Sequence, residues 1–285
     1  MSAVPPFFPR RGVLLGLVAA AAPLPALAQQ CKPKIEASEL VAAGKLQMSM
    51  NPTLPPQQYV DEKGELQGLN VELQREIARR LCLEPVIIRM NFGGMIPALA
   101  AGRFDGINTG MFWTEERSRT MNTVPYAQQT ISFAVIPDST ANVTTPEQLA
   151  GHSVSLESNS YQERWLRGID KENVAKGLKP MDIKAFPTAT EVLAVMRAKQ
   201  VEIGILIDQT ANEMVRRGLV KILTTGLAPA PTTFAFRNRK LAQLFADTLN
   251  EMRTDGTYGK LFEKFGITQF PADKPFVVAG PGPKA

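Results

Sequence analysis

Between Lys45 and Phe270 the spacing of apolar positions switches repeatedly between about two and about 3.6 residues. This predicts strands alternating with amphipathic helices, an α/β chain. KLQMSMN, from Lys45, reads as a strand. In GLNVELQREIARRL the residues Leu73, Ile77 and Leu81 stand four apart on one face, which predicts a helix lying on a sheet. PVIIRMNF returns to a strand, MIPALAAGRF is a short helix stopped by Gly102, and DGINTGMFW is a buried strand. TISFAVIP is extended. TPEQLAG carries a capping box, with Thr145 as N-cap, Pro146 at the first helical position and Gln148 at the third. Strands HSVSLE, MDIKAF and VEIGILID then alternate with helices SYQERWLRGI and TEVLAVMRAK, the latter opening on a second box from Thr188 to Glu191. The helix QTANEMVRRG leads to LVKILTT and TTFAFRN, read as two strands. The last long helical stretch places Leu241, Leu244, Phe245, Leu249 and Met252 on one stripe, with Gly256 and Gly259 breaking it in two. The Pro- and Gly-rich segment 271–285 reads as a flexible tail.

The first residues have a different character. Arg10 and Arg11 precede an apolar run from Gly12 to Ala22, and the small residues Ala26 and Ala28 frame a cleavage site after Ala28. Residues 1–28 are therefore expected to be an export signal, by the general or the twin-arginine route, leaving an exported and soluble chain. The run is too short, and too interrupted by Pro23 and Pro25, to span a bilayer as a permanent helix.

The 285 residues are 44% apolar and 21% charged, an ordinary globular balance. The net charge of +5 includes Arg10 and Arg11, and residues 1–28 hold no acid, so the processed chain carries 5 − 2 = +3. Its basic residues are scattered among acids, so no nucleic-acid partner is expected. An oxidising compartment favours a disulfide between Cys31 and Cys82, the chain's two cysteines, against the alternative of two free thiols. The bond would be worth ~3 to 4 kcal/mol in the chain-entropy model. With His152 the sole histidine, neither a zinc site nor a histidine-dependent triad can be assembled, and no metal or cofactor is expected.

Two segments, IPALAAGRFDGINTG and VLAVMRAKQVEIGILID, each run from an apolar helix through a turn and an acid into a buried strand. That echo suggests two lobes on one plan. The stretch GMFWTEERSRTM, from Gly110, ends the first of these strands in a charged cluster. Either a solvated helix simply begins at Thr114, or Arg117 is a ligand clamp at a strand end.

The ordered blocks YVDEKGELQGLNVELQREIARRL, FGGMIPALAAGRFDGINTGMFWTEER, TPEQLAGHSVSLESNSYQE and NEMRTDGTYGKLFEKFG resemble the periplasmic amino-acid-binding proteins of ATP-driven importers, solute-binding protein family 3. The resemblance implies a two-lobed periplasmic-binding-protein fold of type II. It has two crossover strands, near Ile131 to Ile136 and Pro231 to Phe236, and a ligand in the interlobe cleft. The expected divisions are 29–131 with 233–270 for lobe 1 and 132–232 for lobe 2. The implied role is capture of a small amino acid or carboxylate in the periplasm by a monomer that passes it to the membrane permease of an ABC importer, with no enzymatic turnover. A dehydratase-like enzyme acting on a cyclic carboxylate and a stand-alone sensor are the competing readings.

Carried over residue by residue, the resemblance makes Arg117, after Thr114 in T-x-x-R, the holder of the ligand carboxylate. A guanidinium suits that task because its fork matches both oxygens and keeps its proton. Asp208 in GILID is the matching holder of the ligand ammonium, or else a helix N-cap. Gly110 presents backbone to the ligand. Ser160 offers a hydroxyl and a helix N-terminus to the carboxylate, or is a plain N-cap. Asn51, Leu54, Phe92 and Tyr161 surround the ligand side chain in relatives, although Phe92 could equally be core. Departures from the family pattern fall on the same pocket. Phe112 stands where a Ser or Thr is usual, Gln57 and Gln58 replace an aromatic and an acid, and Asn159 replaces a common Gly.

Overall fold

The computed structural model describes residues 1–3 and 31–283. The export-signal reading, including its cleavage site, falls on residues outside those described. In chain order the elements are β1 (Lys45–Met50), β2 (Thr53–Leu54), β3 (Gln58–Val60), β4 (Leu66–Gln67), α1 (Leu69–Leu81), β5 (Glu84–Arg89), α2 (Met95–Ala100), β6 (Gly106–Phe112), α3 (Glu115–Ser118) and β7 (Asn122–Val135). There follow β8 (Ser153–Glu157), α4 (Tyr161–Ala175), β9 (Asp182–Phe186), α5 (Ala189–Arg197), β10 (Ile203–Ile207), α6 (Asp208–Arg216), β11 (Lys221–Phe236), α7 (Arg239–Thr254) and α8 (Thr257–Phe265). Among the described residues no helix is long and apolar enough to cross a membrane.

Eight strands form one sheet in the order β5-β1-β6-β11-β7-β10-β8-β9, and β2, β3 and β4 form a small second one. The β1, β5, β6 neighbours are parallel, as are β8, β9 and β10. The two groups are joined through β7 and β11, long antiparallel strands in the middle of the order. On the first side, α1 and α7 place Leu73, Ile77, Leu81, Leu241, Phe245 and Leu249 in one apolar cluster with Phe234 and Phe236 of β11. On the second side, Ile203, Ile205 and Ile207 of β10 pack with Val154, Leu156 and Leu166. These are two cores with separate helical cover, a two-lobed α/β fold. The period-two and period-3.6 stripes read from the sequence are the surfaces these cores bury.

Several local expectations hold at atomic level. The Thr188 box forms in both directions, with Glu191 N–H donating to Thr188 Oγ1 at 3.2 Å and Thr188 N–H to Glu191 Oε2 at 3.0 Å. Near Thr145, Gln148 Oε1 accepts from the backbone N–H groups of Thr144 and Thr145. Cys31 and Cys82 are both disulfide-bonded and, as the chain's two cysteines, form the expected pair.

Three expectations change. LVKILTT and TTFAFRN are parts of one strand, β11, although Pro229 and Pro231 lie between them. Pro229 falls at the register shift between Leu227 and Ala230, where the ladder is already interrupted, and Pro231 stays in register opposite Gln128. The C-terminal helical stretch breaks at Gly256, in a left-handed conformation, whereas Gly259 lies inside α8. The third correction concerns the segment read as a flexible tail, which is tied down through residue 282. Phe276 is 1% exposed, edge-on to Tyr258 at 5.0 Å and covered by the Arg253 guanidinium at 3.9 Å. Asn250 bonds its backbone on both sides, Ala279 N–H donates to Thr123 O at 2.8 Å, and Gly282 N–H donates to Ser118 O at 2.9 Å. A segment poor in periodic apolar residues is held by one aromatic anchor and by backbone pairing, neither of which has a period to read. Phe276→Ala should therefore cost about 3–5 kcal/mol, the usual range for emptying a buried phenyl site. Urea denaturation checks this, and a truly loose tail would give no change.

Candidate functional site

Strand β6 is buried at all seven positions, and its end projects the chain into a four-residue helix. Thr114 caps that helix, its Oγ1 accepting from Arg117 N–H at 3.1 Å. The turn faces Arg117 inward instead of leaving it in a solvated charged cluster. The residue is 4% exposed, its Nη1 donates to Phe112 O at 2.8 Å, and the guanidinium lies 5.3 Å from the Phe92 ring centroid. Its Nε is buried with no hydrogen-bond partner. No carboxylate among the described residues lies within 4 Å of it, and loss of water pulls its pKa down to about 10. A buried cation held by carbonyls alone, with one donor idle, has capacity for an anion.

Arg117 borders a small cavity of about 20 Å³, lined also by Leu54, Phe92, Thr109, Gly110, Met111 and Phe112 from the first lobe's elements and by Glu157, Ser160, Tyr161, Gln162 and Ile207 from the second's. A wider hollow of about 500 Å³, bordered by Gly93, Glu116, Asn159 and Arg164, meets it at Arg117. Contacts across the cavity are direct. The Phe112 ring stacks on Tyr161 at 4.6 Å with a 22° interplanar angle, Asn51 Nδ2 donates to Glu157 Oε1 at 2.6 Å, and Glu116 pairs with Arg164. Phe112 thus exchanges the usual hydroxyl for an aromatic surface that the opposite wall matches.

Seven of the ten residues expected at a ligand line this cavity: Arg117, Gly110, Phe112, Ser160, Tyr161, Phe92 and Leu54. Ser160 is also the N-cap of α4, its Oγ accepting from Glu163 N–H at 3.0 Å. Thr114 acts through the α3 cap, and Asn51 through its bond to Glu157. Asp208 is placed elsewhere. It is the first residue of α6, with Ile207 in the N-cap position, and it is not among the residues lining the cavity. Its carboxylate accepts from Thr130 and Ser132 of β7 and from Thr225 Oγ1 at 2.7 Å and Gly226 N–H at 3.1 Å of β11. Four donors from two paired strands occupy the oxygens expected to hold an ammonium.

Sequence reasoning passed over Glu157. It ends the strand predicted for HSVSLE and is buried at 7% exposure, with its pKa pushed up to about 8 by burial against the lowering effect of Asn51. An acid closing a strand of alternating serines and aliphatic residues, three residues before a helix cap, was the available signal. Also unanticipated is a buried amide network beneath β6. Gln57 Nε2 donates to Gln129 Oε1 at 2.7 Å and Gln129 Nε2 to Gly110 O at 3.0 Å. Gln58 Nε2 donates to Thr109 O at 2.9 Å, Asn70 Nδ2 to Gln58 Oε1 at 2.6 Å, and Tyr126 OH to Asn70 Oδ1 at 2.7 Å. Gln57 and Gln58, unusual in the family pattern, hold the backbone of the strand that leads to Arg117.

This two-lobed architecture, with a charged cavity between lobes, is that of a small-solute binder. Residues 46–268 match the family model for bacterial extracellular solute-binding proteins, family 3, and the chain belongs to that family. Among its relatives is the probable ABC transporter arginine-binding protein ArtJ of Chlamydia trachomatis, 24% identical over 232 residues that cover 78% of this chain and 86% of the relative. The L-cystine-binding protein TcyJ of Escherichia coli is 26% identical over 231 residues, 78% of this chain and 82% of that one. Among solved structures, a mutant of ArgBP from T. maritima superposes with a TM-score of 0.73 at 27% identity, over 78% of this chain and 95% of that one. An ancestral arginine-binding protein bound to arginine gives 0.72 at 28%, over 78% and 98%. These relatives are named for binding, and this chain belongs with the solute-binding proteins.

Proposed function

We propose that this protein captures a small amino-acid-like carboxylate between its lobes in the periplasm and delivers it to the membrane permease of an ABC importer. Lobe 1 comprises residues 29–131 with 233–270, and lobe 2 residues 132–232. The observation that carries the reading is Arg117, a buried guanidinium with an unpartnered Nε at the interlobe cavity and no carboxylate of the described residues within 4 Å. A ligand carboxylate supplies the missing anion and is released from water where Coulomb attraction is strong. Binding then favours the closed arrangement because Tyr161, Glu157 and Ser160 approach the ligand from the other lobe, and the open state lacks those contacts. The names of the relatives favour capture over the dehydratase and sensor alternatives. A thermal-shift screen of amino acids, small carboxylates and amines tests the reading. Carboxylate ligands should raise the melting temperature by mass action, and simple amines should not. A response to amines alone, or to nothing in the panel, would remove the carboxylate clamp.

A further inference from the structure

Building on the carboxylate clamp just proposed, we infer that Glu157, and not Asp208, receives the ligand's cationic group, and that the ligand is a compact amino acid whose side chain is uncharged. The geometry has three parts. Arg117 and Glu157 line the same cavity from elements of opposite lobes, and they do not pair with each other. Glu157 Oε1 accepts from Asn51, while Oε2 has no protein donor among the described residues. The backbone acceptors nearby each already hold one side-chain donor, Thr109 O from Gln58, Gly110 O from Gln129 and Phe112 O from Arg117, and none of them carries a charge. The lining thus offers a zwitterion one guanidinium and one carboxyl to bridge, and Asp208 stays a brace between β7 and β11.

The rest of the wall limits what the zwitterion can carry. Leu54, Phe92, Met111, Phe112, Tyr161 and Ile207 offer apolar and aromatic surface. Glu157 is the single acid of the lining, so the second cation of a dibasic amino acid would be desolvated without a partner, a cost of several kcal/mol. The cavity is only about 20 Å³, so every added ligand atom demands further displacement of the Phe112–Tyr161 stack.

Arg117 and Tyr161 are the other titratable groups lining the cavity. Where burial in this arrangement of the lobes pushes its pKa up to about 8, Glu157 holds a proton at neutral pH. Binding an ammonium then converts the carboxyl to carboxylate, and the proton leaves to solvent. A hydroxy acid, with no cation, leaves that proton in place.

Isothermal titration of the full chain, in buffers of different ionisation enthalpy at pH 7, separates these cases. The probes are L-alanine, L-valine, L-leucine, L-arginine and L-lactate. The expected result is tighter binding of the uncharged-side-chain amino acids than of arginine, with proton release for the amino acids and none for lactate. E157Q should weaken the amino acids about 30-fold or more, the scale for removing one member of a buried charge pair. It should leave lactate within about threefold and abolish the proton release, while D208N leaves amino-acid affinity within about threefold. Folding is checked independently. Wild-type stability should fall as pH rises from the ordinary glutamate range through about 8, because the folded state holds the proton more tightly than the unfolded, and E157Q should lose that slope. Unchanged amino-acid affinity in E157Q, loss of affinity in D208N, or preference for arginine would overturn the assignment and leave the carboxylate clamp standing. Failure of amino acids and lactate alike would overturn the clamp itself.

Discussion

Arg117→Ala is expected to abolish the thermal shift produced by any carboxylate ligand and to weaken its binding by about 30-fold at the least, since truncating one partner of a buried, hydrogen-bonded charge pair costs about 2–5 kcal/mol. The free protein should remain folded. The guanidinium is desolvated without a counter-charge, so its removal relieves one cost while losing the bond to Phe112 O and the contact with Phe92. Arg117→Lys is the sharper comparison. It keeps the charge, yet a point ammonium cannot span two carboxylate oxygens, so binding should recover only in part. Calorimetric titration beside urea unfolding reads both effects, and normal affinity in Arg117→Ala would dismiss the clamp.

Gly110→Ala should produce a large loss of stability from a single methyl group. Gly110 has φ +68°, and a Cβ there would stand 2.2 Å from Gln57 Oε1. Left-handed backbone costs a non-glycine residue about 1–2 kcal/mol, and forcing an atom into packed surroundings about 1–3 more. Gln57 cannot swing aside freely because its amide nitrogen is bonded to Gln129, whose own amide holds the Gly110 carbonyl. The variant should therefore lose about 2–5 kcal/mol and also weaken ligand binding, since Phe112 and the Arg117 turn follow on the same strand. Gly64→Ala is the control. It shares the positive φ, but nothing lies within 4 Å of the added atom, so the conformational term alone applies. Equal losses in the two variants would show that the amide network contributes nothing.

The two expectations share one cause. Arg117 is presented by backbone that the amide network holds, and the network runs from β3 through β6 to β7 across chain separations that no local pattern records. A polar residue facing a core is indistinguishable in sequence from one facing water when both alternate with apolar neighbours. Gln57 and Gln58 accordingly looked like departures in specificity, and with Asn70 and Gln129 they form the internal scaffold beneath β6.

Periodicity alone determined much of this protein: the amphipathic faces of α1 and α7, the buried β6 and β10, the capping boxes and the alternation that defines an α/β chain. Each of these depends on neighbours within a few positions, where spacing and propensity act directly. A helix starting at Thr114 was legible for the same reason, whereas the stretch itself left open whether Arg117 faces solvent or the interior. Only the tertiary structure decided which acid meets the cavity, because Glu157 ends one buried strand and Asp208 directly follows another. What separates them is the set of donors that distant strands bring to each: four at Asp208 and a single amide at Glu157. It also decided that β11 runs unbroken past Pro229 and Pro231, and that Phe276 anchors the C-terminal segment. In both cases the stabilising partner lies far along the chain, and burial, a property of the assembled whole, sets the balance.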